Sequence, residues 1–384
     1  MATLNDLDVK RAELNTAIDD YKQAVLDFST STITQQALDD AKALAIATGD
    51  EYAKLISQVK QDDPTVTNDD QLFSRPAAMN ALVRDDIATI LRTGRLFGDG
   101  MKLLVDTEGT AGGATNVILS FATGSDVTID WGDGSEIQAF TGAASHDYST
   151  PGQYTVEVHG TINGFTNPLV ESQQQLKDVM QWGEVEFASA QAMFARRTGF
   201  VISASDGPTF LPGASCAQMF YSATNFNSNI NHWDTSNVVD MTSMFLLAYA
   251  FNQPLAAWDV SGVVSIAYMF KSTNVFNQDI SGWDVSSVLT MTDTFRQAGA
   301  FNGAIGGWNV SQVINMEGMF NRASVFNQPL NNWNVGSVTN MRQMFNFASA
   351  FNQYIKGWDV SNVTSYASFA DYSSLLSTNA PNFT

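Results

Sequence analysis

Tryptophan recurs at Trp233, Trp258, Trp283, Trp308, Trp333 and Trp358, one every 25 residues, with no insertion or deletion between them. Phe226, Phe251, Phe276, Phe301, Phe326 and Phe351 keep the same step, each followed by asparagine, and Val238, Val263, Val288, Val313, Val338 and Val363 form a third column. A fixed period of this length leaves few folds open. A unit of that size cannot bury its own apolar side, so successive units must stack and bury one another's. Residues 213–384 are therefore predicted to form a solenoid.

The inside of one unit can be read from 233–257. Trp233 and the column Thr235, Val260, Val285, Val310, Val335 and Val360 lie two apart, which suits a short strand with both side chains on one face. Ser236 is placed to cap the turn that follows. Val238, Met241, Met244 and Phe245 then step as a helical or 3₁₀ turn with one buried stripe. With coils stacked at about 4.8 Å, six of them give an apolar rod about 30 Å long. The asparagines of the Phe-Asn pairs are expected to point inward and satisfy backbone groups of neighbouring coils, each costing about 1–3 kcal/mol if buried unpaired. Cys216, the one cysteine, falls in the column of Met241, Met291, Met316 and Met341, so it reads as a small buried apolar residue. The terminal units lose the consensus: Met193-Phe194 and Phe200 run one residue out of step, Tyr366 replaces a methionine, and Phe369 comes early. End units must close the core against water, and they diverge for that reason.

Upstream the text changes. Leu4, Leu7, Arg11, Leu14, Ile18, Tyr21, Val25 and Phe28, then Leu38, Ala41, Ala45, Thr48, Tyr52, Leu55 and Val59, alternate steps of three and four. That is the coiled-coil period, and it predicts a helical hairpin or a bundle between subunits, with a third amphipathic helix over 77–92. From about 115, Val117, Leu119 and Phe121, then Val127, Ile129 and Trp131, then Tyr154, Val156 and Val158 alternate around Gly- and Pro-rich turns, as half-buried strands of a small β-sandwich do. The expected organisation is multidomain: a helical docking and oligomerisation region over 1–100, a β-sandwich over 110–168, a lead-in cap over 169–212, and the solenoid over 213–384.

Charge narrows the partners. The net charge of −20 argues against nucleic acid, which requires a basic stripe. Residues 213–384 hold only five basic and nine acidic side chains, so the solenoid surface is nearly uncharged. No apolar run reaches membrane-spanning length, and Met1–Asp8 lack the basic and apolar parts of a signal peptide, which predicts synthesis in a cytoplasm without the usual secretory route. Asp130, Asp133 and Glu136 carry the oxygen ligands calcium takes but not the spacing of an EF-hand; an Asx turn accounts for Asp133, and no cofactor is implied. His146, His159 and His232 are scattered, and His146 is read as supporting its own turn. Glycoside hydrolysis needs two carboxylates, yet four of the nine acids of 213–384 share one column, Asp234, Asp259, Asp284 and Asp359, where Asn309 and Asn334 replace them. Asparagine cannot carry a proton, so the column suits a turn cap and not acid–base chemistry.

The pattern F-N-Q-P-L-x-x-W-D-V-S-x-V-x-x-M-x-x-M-F, specific over 213–369, resembles the 25-residue class of the BspA-like, leucine-rich-repeat-related surface proteins. The Trp131-Gly132-Asp133-Gly134 and His146-to-Val156 elements resemble the PKD-like sandwich that often precedes it. The resemblance implies a right-handed leucine-rich-repeat-like solenoid and a surface binding scaffold, with no catalytic residues. Heptad helices, a sandwich and a repeat array together resemble the layout of a phage appendage. The expected function is thus a non-enzymatic virion protein (fibre, spike or decoration) that homo-oligomerises and docks to other assembly proteins through 1–100. Its solenoid would then bind a host-surface glycan or protein, without membrane insertion. The alternative is a bacterial cell-surface adhesin of the BspA-like kind, and a third reading is a carbohydrate-active enzyme. Recognition is expected at the variable positions after each Met-Phe: Tyr221, Leu246, Lys271, Arg296, Asn321 and Asn346.

Overall fold

In the computed structural model the described residues are 13, 16, 20, 100–108, 115–135, 137–165 and 175–383. The chain divides into two compact units, Met1–Gly98 and Asp99–Thr384. Of the first, Glu13, Thr16 and Asp20 are described, each helical and exposed. Across the second, the described residues are strands, turns and bends, with one 3₁₀ position at Gln175. The fold class is therefore corrected from a multidomain helix-plus-β chain: among the described residues the structure is essentially all β. The heptad segments, the helix at 77–92 and the docking role of 1–100 otherwise lie outside the described residues. A 3.5-residue spacing says which side chains would share a stripe but nothing of what covers it, and a helix pair does not follow from it alone.

Seven strands build the sandwich: β1 (Met101–Asp106), β2 (Asn116–Leu119), β3 (Asp126–Asp130), β4 (Gln138–Phe140), β5 (Ala144–Asp147), β6 (Gln153–Ile162) and β7 (Leu176–Gln181). β1 was not expected, although Met101, Leu103 and Val105 alternate with half-buried neighbours as plainly as any strand here. It pairs antiparallel with β6 from Met101↔Val158 to Asp106↔Gln153, and on its other side with β7. β3 pairs antiparallel with both β4 and β6, while β2 and β5 form a separate two-stranded sheet. Trp131, Val156 and Val158 are fully buried in this core, and Val117 and Leu119 nearly so.

The sandwich passes into the solenoid without a break. β8 (Glu186–Ser189) pairs parallel with the end of β6 at Thr161 and Ile162. Because β3 occupies one edge of β6 there, β8 takes the edge that β1 leaves at Val158. β9 (Val201–Ile202) pairs with β7, β10 (Thr209–Ser215) with β8, and β11 (Val238–Asp240) with β10, all parallel. Single parallel bridges then continue the same line through Asp240, Ser265, Thr290, Asn315, Asn340 and Ser365.

Within each coil two expectations are corrected. The strand-like bridge lies at 238–240 and its equivalents, not at Trp233–Thr235. There the Asp234 carboxylate accepts the Ser236 N–H at 3.0 Å and Val238 N–H bonds the Thr235 carbonyl at 2.9 Å, so the chain turns instead of pairing. The helical turn expected over 238–245 is replaced by a chain of four-residue turns. The N–H groups of Met241, Ser243, Phe245 and Leu247 donate to the carbonyls of Ser265, Ala267, Met269 and Lys271 in the next coil, at 2.8–3.0 Å. Between them, Met244, Leu246 and Ala248 donate three residues back. Ser243 and Leu247 have φ of +58° and +63° at the third position of such turns, the backbone that type II turns require. The two positions recur in every coil, filled by side-chain-bearing residues except at Gly318. Each costs roughly 1 kcal/mol or more in an L-residue, and the inter-coil bonds on both sides hold it there.

The stack's interior repeats as faithfully as its sequence. Phe245, Phe270, Phe295 and Phe320 follow one another at 5.6–5.8 Å between ring centres, within 8° of parallel. The indole N–H groups of Trp258, Trp283, Trp308, Trp333 and Trp358 each donate to a carbonyl of the preceding coil, from Ile230 to Leu330, at 2.9–3.1 Å. The asparagine column also works between coils, though not by facing inward. The backbone N–H of Asn252, Asn277, Asn302, Asn327 and Asn352 donates to the side-chain oxygen of the asparagine one coil earlier, at 2.8–3.0 Å, on a partly exposed edge. Beyond Trp358 the last residues close the core, with Phe383 stacked on Tyr366 and set edgewise against Phe369.

Candidate functional site: the outward turn face

The turn segment that carries the inter-coil ladder has four variable positions per coil, at 242, 243, 246 and 247 and their equivalents; some are partly exposed, whereas Ser243, Ser272 and Asp293 are buried. The expected recognition positions form one of these rows. The carbonyls of Tyr221, Leu246, Lys271, Arg296, Asn321 and Asn346 accept the N–H groups of Arg196, Ser222, Leu247, Ser272, Gln297 and Arg322 at 2.6–3.0 Å, so backbone bonding fixes them one per coil. Tyr221, Leu246, Lys271 and Arg296 are half-buried, whereas Asn321 and Asn346 are 2% and 8% exposed. The row is a surface at one end and sunken at the other.

Four of the five basic side chains of 213–384, Lys271, Arg296, Arg322 and Arg342, stand on this face. Asp293, buried, takes Lys271 Nζ at 2.8 Å and Arg296 Nη1 at 3.3 Å, and Lys271 also lies 5.0 Å from the centre of the Tyr268 ring. Burial and the charge of Asp293 hold the Tyr268 hydroxyl above its usual range. Arg342 pairs with Glu317 at 2.9 Å, and Asn340 donates to the same carboxylate at 3.0 Å. Arg322 is exposed and lies 4.7 Å from the centre of the Phe347 ring. Phe347 in turn stacks on Tyr372 at 4.6 Å, 12° from parallel. Arg296 Nε and the side-chain oxygens of Asn321 and Asn346 are buried without hydrogen-bond partners among the described residues.

The row Leu247, Ser272, Gln297, Arg322, Phe347 and Tyr372 was missed in the sequence, although it varies as much as its neighbour one residue earlier. Aligning the units by their tryptophans shows that variation. What it does not show is the positive φ that these residues adopt.

The remaining candidates resolve into turns. Asp130 accepts the Gly132 N–H at 2.9 Å and Asp133 that of Ser135 at 3.0 Å. His146 Nε2 lies 2.8 Å from Asp133 Oδ2, its ring stacked on Trp131 at 5.0 Å. Burial works against the Asp133 carboxylate, but the hydrogen bonds of Ser135 and His146 outweigh it and bring its pKa from 3.8 down to about 2. Glu136 lies outside the described residues. In the stack, hydrogen bonds from Ser236, Ser261, Ser286 and Ser361 hold Asp234, Asp259, Asp284 and Asp359 below the ordinary carboxylate range. Asn309 and Asn334 accept the same i+2 N–H, so the column is a cap that either residue can make, and the serine supplies the donor instead of the cap. Cys216 is buried, and burial pushes its thiol upward. Among the described residues no three His, Cys, Asp or Glu side chains converge as a metal site, and no helix is long and apolar enough to cross a membrane.

Residues 214–305 and 278–383 match the family described as "Mycoplasma protein of unknown function, DUF285". The stack is similar to that family. Both matched segments lie within the repeats, and the sandwich falls outside them. No curated protein and no solved structure matches the chain.

Proposed function

We propose that this chain is a non-enzymatic, repeat-containing surface protein of the bacterial-adhesin kind, and that the outward turn face of its stack is the part that binds. The observation that carries the reading is the division of labour within each coil. The columns that repeat without change are buried or tied into inter-coil hydrogen bonds, while the turn face carries four variable rows and four of the stack's five cations on a backbone tied from coil to coil. Variation on a rigid scaffold is where recognition is built. The similarity to a family of proteins from a cellular organism supports a cell surface over a virion surface. The carboxylates of Asp234, Asp259, Asp284 and Asp359 are engaged in Asx caps, which supports binding over hydrolysis.

The test is cell binding by the full chain. A triple variant Lys271→Ala, Arg296→Ala, Arg322→Ala is compared with Asp234→Asn, Asp259→Asn, Asp284→Asn, which alters an equal number of charges on another row. Loss of binding in the first variant alone supports the proposal. Equal binding by both variants contradicts it, and so does recovery of the native protein in virus particles instead of on cells.

A further inference from the structure

We infer that the C-terminal end of the turn face, where Arg322, Phe347 and Tyr372 stack in one row, is a binding site for neutral saccharide; this deepens the proposed surface-binding role and rests on it. The row is a pile of planar groups in three successive coils. A guanidinium lies over a phenyl ring at 4.7 Å and that ring over a phenol at 4.6 Å. Phe347, itself 39% exposed, lies between the two, and Tyr372, 76% exposed, has no ring contact on its other face among the described residues. An open aromatic face set in a polar rim suits a ligand with a C–H-bearing face and hydroxyls round its edge, because the ring buries the first while polar groups pair with the second.

The rim is mixed in the way hydroxyls require. Arg322 offers donors only, and it has no carboxylate partner among the described residues. Asp371, exposed and one place before Tyr372, offers acceptors. Each hydroxyl both donates and accepts, so it can serve both kinds of group. A simple anion fits less well: Asp371 stands beside the site, and the chain as a whole carries a charge of −20. Tyr354, 58% exposed, has no such ring stack around it among the described residues.

The full chain is titrated calorimetrically with N-acetylglucosamine tetrasaccharide, mannotetraose and polygalacturonate, beside Arg322→Ala, Tyr372→Ala, Tyr372→Phe and Tyr354→Ala. The inference expects binding of at least one of the neutral oligosaccharides. Arg322→Ala and Tyr372→Ala should each weaken it at least tenfold, while Tyr372→Phe and Tyr354→Ala stay within about threefold of the parent. Retained affinity in Tyr372→Ala overturns the site, as does a loss in Tyr354→Ala equal to that in Tyr372→Ala. If none of the three saccharides binds while the chain still binds cells, the saccharide inference fails and the surface role stands. Binding of polygalacturonate alone overturns the assignment to neutral sugar, and failure to bind cells as well removes both readings.

Discussion

The sandwich and the stack both bury aromatic side chains but hold them in opposite ways. In the sandwich each large side chain has its own surroundings. Trp131 meets the His146 ring, His146 the edge of Tyr148, and Tyr148 stacks on Tyr154 while its hydroxyl bonds the Trp131 carbonyl at 2.8 Å. In the stack each residue meets a copy of itself one coil away, and one set of contacts serves throughout. A cluster of unlike parts tolerates no missing member. A pile of like parts can lose a whole layer and close up, because its stability is a sum over layers and their interfaces.

The largest effect comes from removing 25 residues. Deleting 276–300 joins equivalent positions of neighbouring coils, and the account expects a folded protein one coil shorter, judged by circular dichroism and a cooperative melt. Deleting 126–150 removes β3, β4 and β5 and should leave no cooperative transition for the sandwich. Single truncations come next. Phe295→Ala, fully buried between Phe270 and Phe320, should cost about 3–5 kcal/mol in denaturant unfolding. Trp131→Ala should cost about as much for the sandwich, but its effect should reach every strand there, whereas that of Phe295→Ala should fade within a coil or two.

The columns of Trp, Phe, Met and Val could be assigned to the core from sequence because burial recurs with the period. The alternation in β3 and β6 was legible for the same reason: Val127, Ile129 and Trp131, and Val156 and Val158, face one core. The inter-coil ladder could not be read. It depends on residues such as Leu247, Tyr268 and Phe347 adopting a left-handed backbone that their side chains do not announce; only Gly318 carries the usual mark. Of the turn face, the row from Tyr221 to Asn346 was visible as variation, but nothing in its letters shows that Asn321 and Asn346 are sunken.

Smaller effects sharpen the contrast. Asn302→Ala removes the acceptor for the Asn327 N–H on a partly wet edge, and should cost about 1 kcal/mol. Acid separates the regions through single residues. Asp133 titrates lower folded than its ordinary value of 3.8, so the stability it contributes is complete above that value and is lost as pH falls towards about 2. Asp133→Asn should therefore flatten the acid-unfolding curve of the sandwich between about pH 4 and 2, while the stack, with several lowered carboxyls of its own, keeps its slope. The smallest change is expected at Val264, an exposed position outside the turn face. Val264→Thr should move the stack's stability by no more than about 0.5 kcal/mol.

Native-state hydrogen exchange of the ladder amides tests the central claim most directly, since each coil contributes equivalent N–H groups, such as those of Phe245, Phe270, Phe295, Phe320 and Phe345. The N-terminal coils continue the sandwich sheet, whereas the last coil ends at a cap. The account predicts protection that declines coil by coil towards the C-terminus, with the sandwich amides of β1 and β6 sharing one common opening energy. Uniform protection from Phe245 to Phe345 would contradict it, because the stack would then unfold as a single cluster.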